Sequence, residues 1–177
     1  MPTNAHREKD LIKRAQQGNA YAFETLINDY YMTMYKIAYK WCGNREDAED
    51  ITQNASIKLV RALDSFHFDA AFSSWLYRLV INAAKDWQKS QHRHISADGV
   101  DIEQERAKDS KPEQQVYTQQ IMSLIEDLPQ KEKEALIFIS IEGMSHKQAA
   151  NQLGCSEGTV SWYIHEARKK LAERMAS

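Results

Sequence analysis

Glycine, proline and cysteine are scarce in this chain: its 177 residues include six Gly, three Pro and two Cys. So few turn formers argue against a many-stranded sheet protein and in favour of helices. Cys42 and Cys155 stand far apart, with neither metal-ligand spacing nor a disulfide framework, which points to a reducing, cytoplasmic setting. No stretch approaches the ~20 consecutive apolar residues of a membrane span, and the charged N-terminus leads into no apolar run. A protein that is neither inserted nor exported is expected. Positive charge is short as well: Lys and Arg number 23 against 25 Asp and Glu, a formal net charge of −2. That is too little for a free-standing DNA binder, whose affinity rests on neutralising phosphates.

What the chain does have is helical period. Phe23, Leu26, Ile27, Tyr30, Met34, Ala38 and Trp41 recur three or four apart, which predicts a helix with one apolar face. Gly43 stops it, and Asn44 with Asp47 can cap a second helix whose stripe is Ile51, Ala55, Leu59, Ala62, Leu63 and Phe66. An aromatic connector, 66–72, leads into a third long helix that buries Trp75, Leu76, Leu79, Val80, Ala83 and Trp87. A short helix over Asp10 to Gln17 joins this bundle. From His92 to about Pro112 the period disappears, and Asp98 to Glu113 holds six acidic residues against three basic ones. This stretch reads as a flexible acidic linker. Two further helices then follow, meeting at Leu128-Pro129. The fold class expected is all-α: two small helical domains, 1–92 and 113–177, joined by a linker over 93–112.

The last third of the chain carries the most specific pattern. Ser145 and Gln148 have the spacing of a capping box, Gly154 supplies the positive φ of a turn, and Ser156 can cap the helix that follows. Val160, Ile164, Ala167 and Leu171 form that helix's buried stripe, leaving Thr159, Ser161, Trp162, His165, Arg168 and Lys169 outward. This is the pattern of a DNA-reading helix-turn-helix. Basic residues crowd the same helix, so a locally cationic face sits on an acidic chain, as suits a subunit that binds DNA inside a larger assembly.

Catalytic patterns are missing. The sequence has no phosphate-cradling Gly-rich loop, no nucleophile elbow and no zinc-binding His-Glu-x-x-His, and His92 with His94 lacks further ligands nearby. No enzymatic activity, metal or cofactor is expected. Two polar faces remain. The second helix carries Asp47, Glu49, Asp50, Gln53 and Asn54 beside its apolar stripe, more acid and amide than the helix dipole alone accounts for. The third combines Arg78, Asn82, Lys85 and Lys89 with Trp75, just after Phe66, Phe68 and Phe72, and cations interleaved with aromatics suit single-stranded nucleic acid.

In order along the chain, Asp47-Ala-Glu-Asp-Ile-Thr-Gln53, Phe72 to Asp86, Asp127-Leu-Pro129, Glu142-Gly-Met-Ser145 and Gly154 to Val160 resemble the sigma-70 family of bacterial RNA polymerase sigma factors, in its extracytoplasmic-function group. The resemblance implies that Asp47, Glu49, Asp50, Gln53 and Asn54 dock on core RNA polymerase. It further implies that Phe66, Phe72, Trp75, Arg78, Asn82, Lys85 and Lys89 face the melted −10 element of the promoter, where a base is extruded into a pocket. Ser156, Gly158, Thr159, Ser161, Trp162, His165, Arg168 and Lys169 would read the duplex −35 element, and an anti-sigma factor would hold the protein inactive, at the inner membrane where that factor is membrane-bound. The chain departs from the family pattern at Ser56, where a bulky apolar residue is common, and at Ser161-Trp-Tyr-Ile-His-Glu166, which has fewer cations than usual. A stand-alone helix-turn-helix regulator is the alternative reading.

Overall fold

The computed structural model describes residues 4–98 and 112–176, and every regular element among them is helical. The N-terminal set consists of α1 (Asn4–Gln16), α2 (Ala20–Cys42), α3 (Arg45–Ala62), a 3-10 turn (Leu63–Ser65) and α4 (Phe72–Asp98). The C-terminal set consists of α5 (Pro112–Ile125), α6 (Gln130–Ser140), α7 (His146–Leu153) and α8 (Glu157–Met175).

Local chemistry sets these boundaries. Asn19 accepts from the Ala22 N–H at 2.9 Å and starts α2, which Gly43 ends at φ 77° while its N–H reaches the Tyr39 carbonyl at 2.8 Å. Asn44 opens α3 by accepting from the Asp47 N–H at 2.9 Å and donating its own amide to the Asp47 carboxylate at 2.7 Å. Two expectations shift. Helix α1 begins at Asn4, well ahead of Asp10, and α4 continues through Asp98, beyond the expected linker start at 93. The rest of the expected linker, 99–111, lies outside the described residues.

Each helix turns an apolar face inward, and burying one such Leu or Ile side chain contributes ~1.5–3 kcal/mol. Ile12, Leu26, Met34, Ile37, Ile51, Leu59, Leu76, Val80 and Ile81 fill the bundle. A smaller core of Ala135, Phe138, Ala149, Ala150, Val160 and Ile164 holds α6, α7 and α8 together. The two helical sets are also packed on each other: Met122, Ile125, Leu128, Leu136, Ile137, Ile141 and Leu171 belong to the same continuous apolar cluster as the bundle.

Candidate nucleic-acid interface

The polar strip of α3 is built by period. With Ile51, Ala55 and Leu59 buried, Glu46, Asp50, Gln53 and Asn54 fall outward, and Glu49 is half-buried in an ion pair with Arg45 at 2.8 Å. Asp47 departs from the expectation. It is buried at the helix start, where it exchanges hydrogen bonds with Asn44, so it fixes the helix entry and offers little surface to a partner. Two residues absent from the sequence reading extend the strip. Ile57 and Val60 are 54% and 61% exposed, apolar side chains in water on the side of α3 away from its buried stripe. Their position off the Ile51-Ala55-Leu59 register was the available signal.

A groove of about 640 Å³ runs between α3 and α4. Lys58, Arg61, Arg78, Lys85 and Lys89 line it, with Asp86 as the single acid, Trp75 as an aromatic wall and Asn82 exposed. Lys58 holds Asp86 at 2.5 Å, which lowers the Asp86 carboxyl below its usual range. The structure therefore brings together Trp75, Arg78, Asn82, Lys85 and Lys89, and adds Lys58 and Arg61, which no helical period in the sequence singles out. Their spacing beside Ala62 and Ser65 marks a second, cationic face of α3.

Phe66 and Phe72 do not line this groove. At 4% and 1% exposed they are core residues: Phe72 meets Tyr30 edge-on at 4.9 Å and Phe66 at 5.2 Å, and stacks on Trp75 at 5.6 Å. The expected base contact at these two positions is corrected to a supporting one, because an aromatic on the bundle side of the connector gains more from burial than from solvent. Phe68 is the aromatic that remains near the surface. It is the only non-glycine residue with positive φ among those described, at 62°, a conformation that is strained for a bulky side chain and clusters at functional sites. Gln16 holds this connector by donating to the Leu63 and Phe66 carbonyls at 3.0 and 2.9 Å, and Lys9 and Lys13 sit over the Phe68 ring at 5.5 and 6.0 Å.

The helix-turn-helix forms as its sequence requires. Ser145 and Gln148 complete a reciprocal capping box, Gly154 closes α7 at φ 67°, and Ser156 caps α8 through the Thr159 N–H at 3.1 Å. The residues facing away from the core on α8 are Ser161, Trp162, His165, Arg168 and Lys169, with Trp162 55% exposed and resting against Tyr163. Thr159 is half-buried and shares its hydroxyl with Ser156 at 2.9 Å. A Cβ on Gly158 would touch nothing closer than the Ser156 hydroxyl at 3.7 Å, so packing does not demand glycine there. What glycine leaves open is bare backbone at a helix N-terminus, where phosphate is favoured.

Residues 26–94 match the Sigma-70 region 2 model and residues 118–171 match the Sigma-70, region 4 model, so the groove and the polar strip of α3 fall in one and the helix-turn-helix in the other. Over 93% of this chain and 92% of the relative, the sequence is 31% identical to the ECF RNA polymerase sigma-E factor of Escherichia coli strain K12. The chain belongs to the ECF group of the sigma-70 family. The ECF RNA polymerase sigma factor SigM of Mycobacterium tuberculosis is 30% identical to this sigma factor, covering 93% of this chain and 83% of the relative. CnrH, solved in complex with the cytosolic domain of CnrY, is similar at 24% identity and a TM-score of 0.47, covering 96% of this sigma factor and 97% of that chain. Among the described residues no helix is long and apolar enough to cross a membrane.

Proposed function

We propose that this sigma factor is a promoter-specificity subunit that carries two DNA-reading faces onto core RNA polymerase, one for the melted −10 element and one for the duplex −35 element. The observation that carries this reading is the placement of charge. A chain with net charge −2 gathers five cations around one aromatic-walled groove and more along α8, while its opposite asset is an exposed acidic and amide strip on α3. Such a protein has local surfaces for DNA and too little overall charge to hold it alone.

Glu49, Asp50, Gln53 and Asn54, extended by Ile57 and Val60, form the polymerase-docking face. Arg78, Asn82, Lys85 and Lys89, with Lys58 and Arg61, hold the single strand, and Trp75 offers its ring to a base. On α8, Ser161, Trp162, His165 and Lys169 approach base edges while Ser156, Gly158 and Arg168 approach phosphates. The working units are the bundle through α4 and the set from α5 to α8, and the protein acts in the cytoplasm under an anti-sigma protein that covers the exposed docking strip. Its role is recognition, and no step of it asks for catalysis, metal or cofactor.

Run-off transcription tests this reading. Core polymerase on a library of promoter fragments is expected to initiate at a defined subset only when this protein is added, and start sites identical with and without it would overturn the proposal.

A further inference from the structure

A recognition helix presents its N-terminal end to base edges, so the first turns of α8 decide what it can read. From Glu157 to Glu166 these turns carry no Lys or Arg, the side chains that grip guanine by paired hydrogen bonds. Arg168 comes about 9 Å beyond Trp162 along the axis, at ~1.5 Å per residue. Nor does α8 contain an Asn or Gln to pair with adenine. The hydroxyls at this end are turned back on the helix itself: Ser161 donates to the Glu157 carbonyl at 3.1 Å, and Ser156 shares a hydrogen bond with Thr159 at 2.9 Å.

What the leading face offers instead is one broad apolar ring. Trp162 is the only large apolar side chain that α8 exposes. Its indole leans on Tyr163, with centroids 5.5 Å and planes 58° apart, and Tyr163 is in turn packed against the core of α6, α7 and α8. The ring is therefore braced on its protein side and open on the other. In a major groove the apolar group among the base edges is the C5-methyl of thymine. Guanine, adenine and cytosine show donors and acceptors there, and an indole face laid on those would strip them of water without pairing them. His165, one turn further along the same face and exposed, adds a hydrogen-bonding group beside the ring.

We infer that Trp162 sets a base preference of the −35 element by seating its indole on the C5-methyl of a thymine, so that a T·A pair is required where the ring lands. This rests on the function proposed above, which brings α8 into the major groove of that element.

Deletion of the methyl group tests the contact. Selection by run-off transcription, with core polymerase and this sigma factor on promoters randomised over the −35 element, is expected to return one position held as thymine. Replacing that thymine by deoxyuridine removes the methyl group and leaves base pairing unchanged. The replacement should raise the holoenzyme concentration for half-maximal transcript about fourfold, as expected for one methyl group no longer taken out of water. Trp162→Ala should capture core polymerase as the wild type does and use the two templates equally. Trp162→Arg, put through the same selection, should exchange the thymine for guanine. A selected element in which no thymine can be replaced by deoxyuridine with any loss, or a Trp162→Ala variant that still prefers the methylated template, would overturn the assignment while the promoter function stands. Initiation that never depends on the sigma factor would overturn both.

Discussion

At the scale of single residues, what separates structural from functional side chains here is which way a shared chemistry faces. Phe66 and Phe72 have the aromatic character that a base-binding pocket wants, yet they are interior, and Phe72→Ala is expected to cost ~3–5 kcal/mol by leaving a cavity between Tyr30, Phe66 and Trp75. Chemical denaturation of that variant reads this cost directly, and a loss under ~1 kcal/mol would show that Phe72 is not packed as described. Asp47 and Asp50 differ in the same way, since one is buried against the Asn44 cap of α3 and the other faces water. Asp50→Ala with Gln53→Ala is therefore expected to leave the melting temperature within a few degrees of wild type while weakening capture of core polymerase by roughly tenfold, about 1.4 kcal/mol. Unchanged capture in a pull-down or interferometry assay would mean the docking strip lies elsewhere.

At the scale of elements, the sequence was most legible where local chemistry alone decides the outcome. Capping by Asn44, Ser145 and Ser156 and the turn at Gly154 depend on neighbours within a few positions, and all four are seen. The buried stripe of α8 is equally local in origin. The groove between α3 and α4 was only half legible, because Lys58 and Arg61 join Arg78 and Lys89 through packing of two helices that no single period encodes. The same holds for the contact between the two helical sets, which pairs Ala71 with Glu134 and Tyr77 with Met122 across 63 and 45 positions. Gly158→Ala, at a position with room for a Cβ, should hold or raise stability by up to ~1 kcal/mol through helix propensity while reducing use of promoters that carry a −35 element. His165→Ala should shift −35 preference in a selection from randomised promoters and leave capture of polymerase as it was. A polymerase defect in either variant would contradict the separation of roles between α8 and α3.

At the scale of the whole molecule, the packing of the two helical sets buries acid. A cavity of about 250 Å³ between them is lined by Glu8, Tyr30, Ser73, Lys131, Glu134 and Glu142 among others. Burial pushes the Glu142 carboxyl up to about 7 against a hydrogen bond from Ser73, with Glu8 adding to the rise and Lys36 opposing it. Burial likewise raises Glu8, against its hydrogen bond with Tyr30, and Glu126, against Lys133, Arg78 and Lys85. Parted from the bundle, Glu142 returns toward an ordinary carboxylate value near 4.5, so the packed state binds its proton more tightly. Packing is then favoured as pH falls from about 7 and weakened as pH rises through that value. Small-angle scattering should show a smaller radius of gyration at about pH 5.5 than at about pH 8, and Glu142→Gln should flatten the change. A radius that grows on acidification would reverse the assignment. Charge at this scale also explains why the molecule keeps its reading faces local: with 23 basic residues against 25 acidic ones, affinity for a promoter has to come from polymerase. Fluorescence anisotropy of a duplex promoter fragment, titrated at about 0.15 M salt with the sigma factor alone, core polymerase alone and the two together, measures that division most directly. Sequence-selective binding is expected only for the mixture; selective, tight binding by the sigma factor alone would contradict the dependence on polymerase.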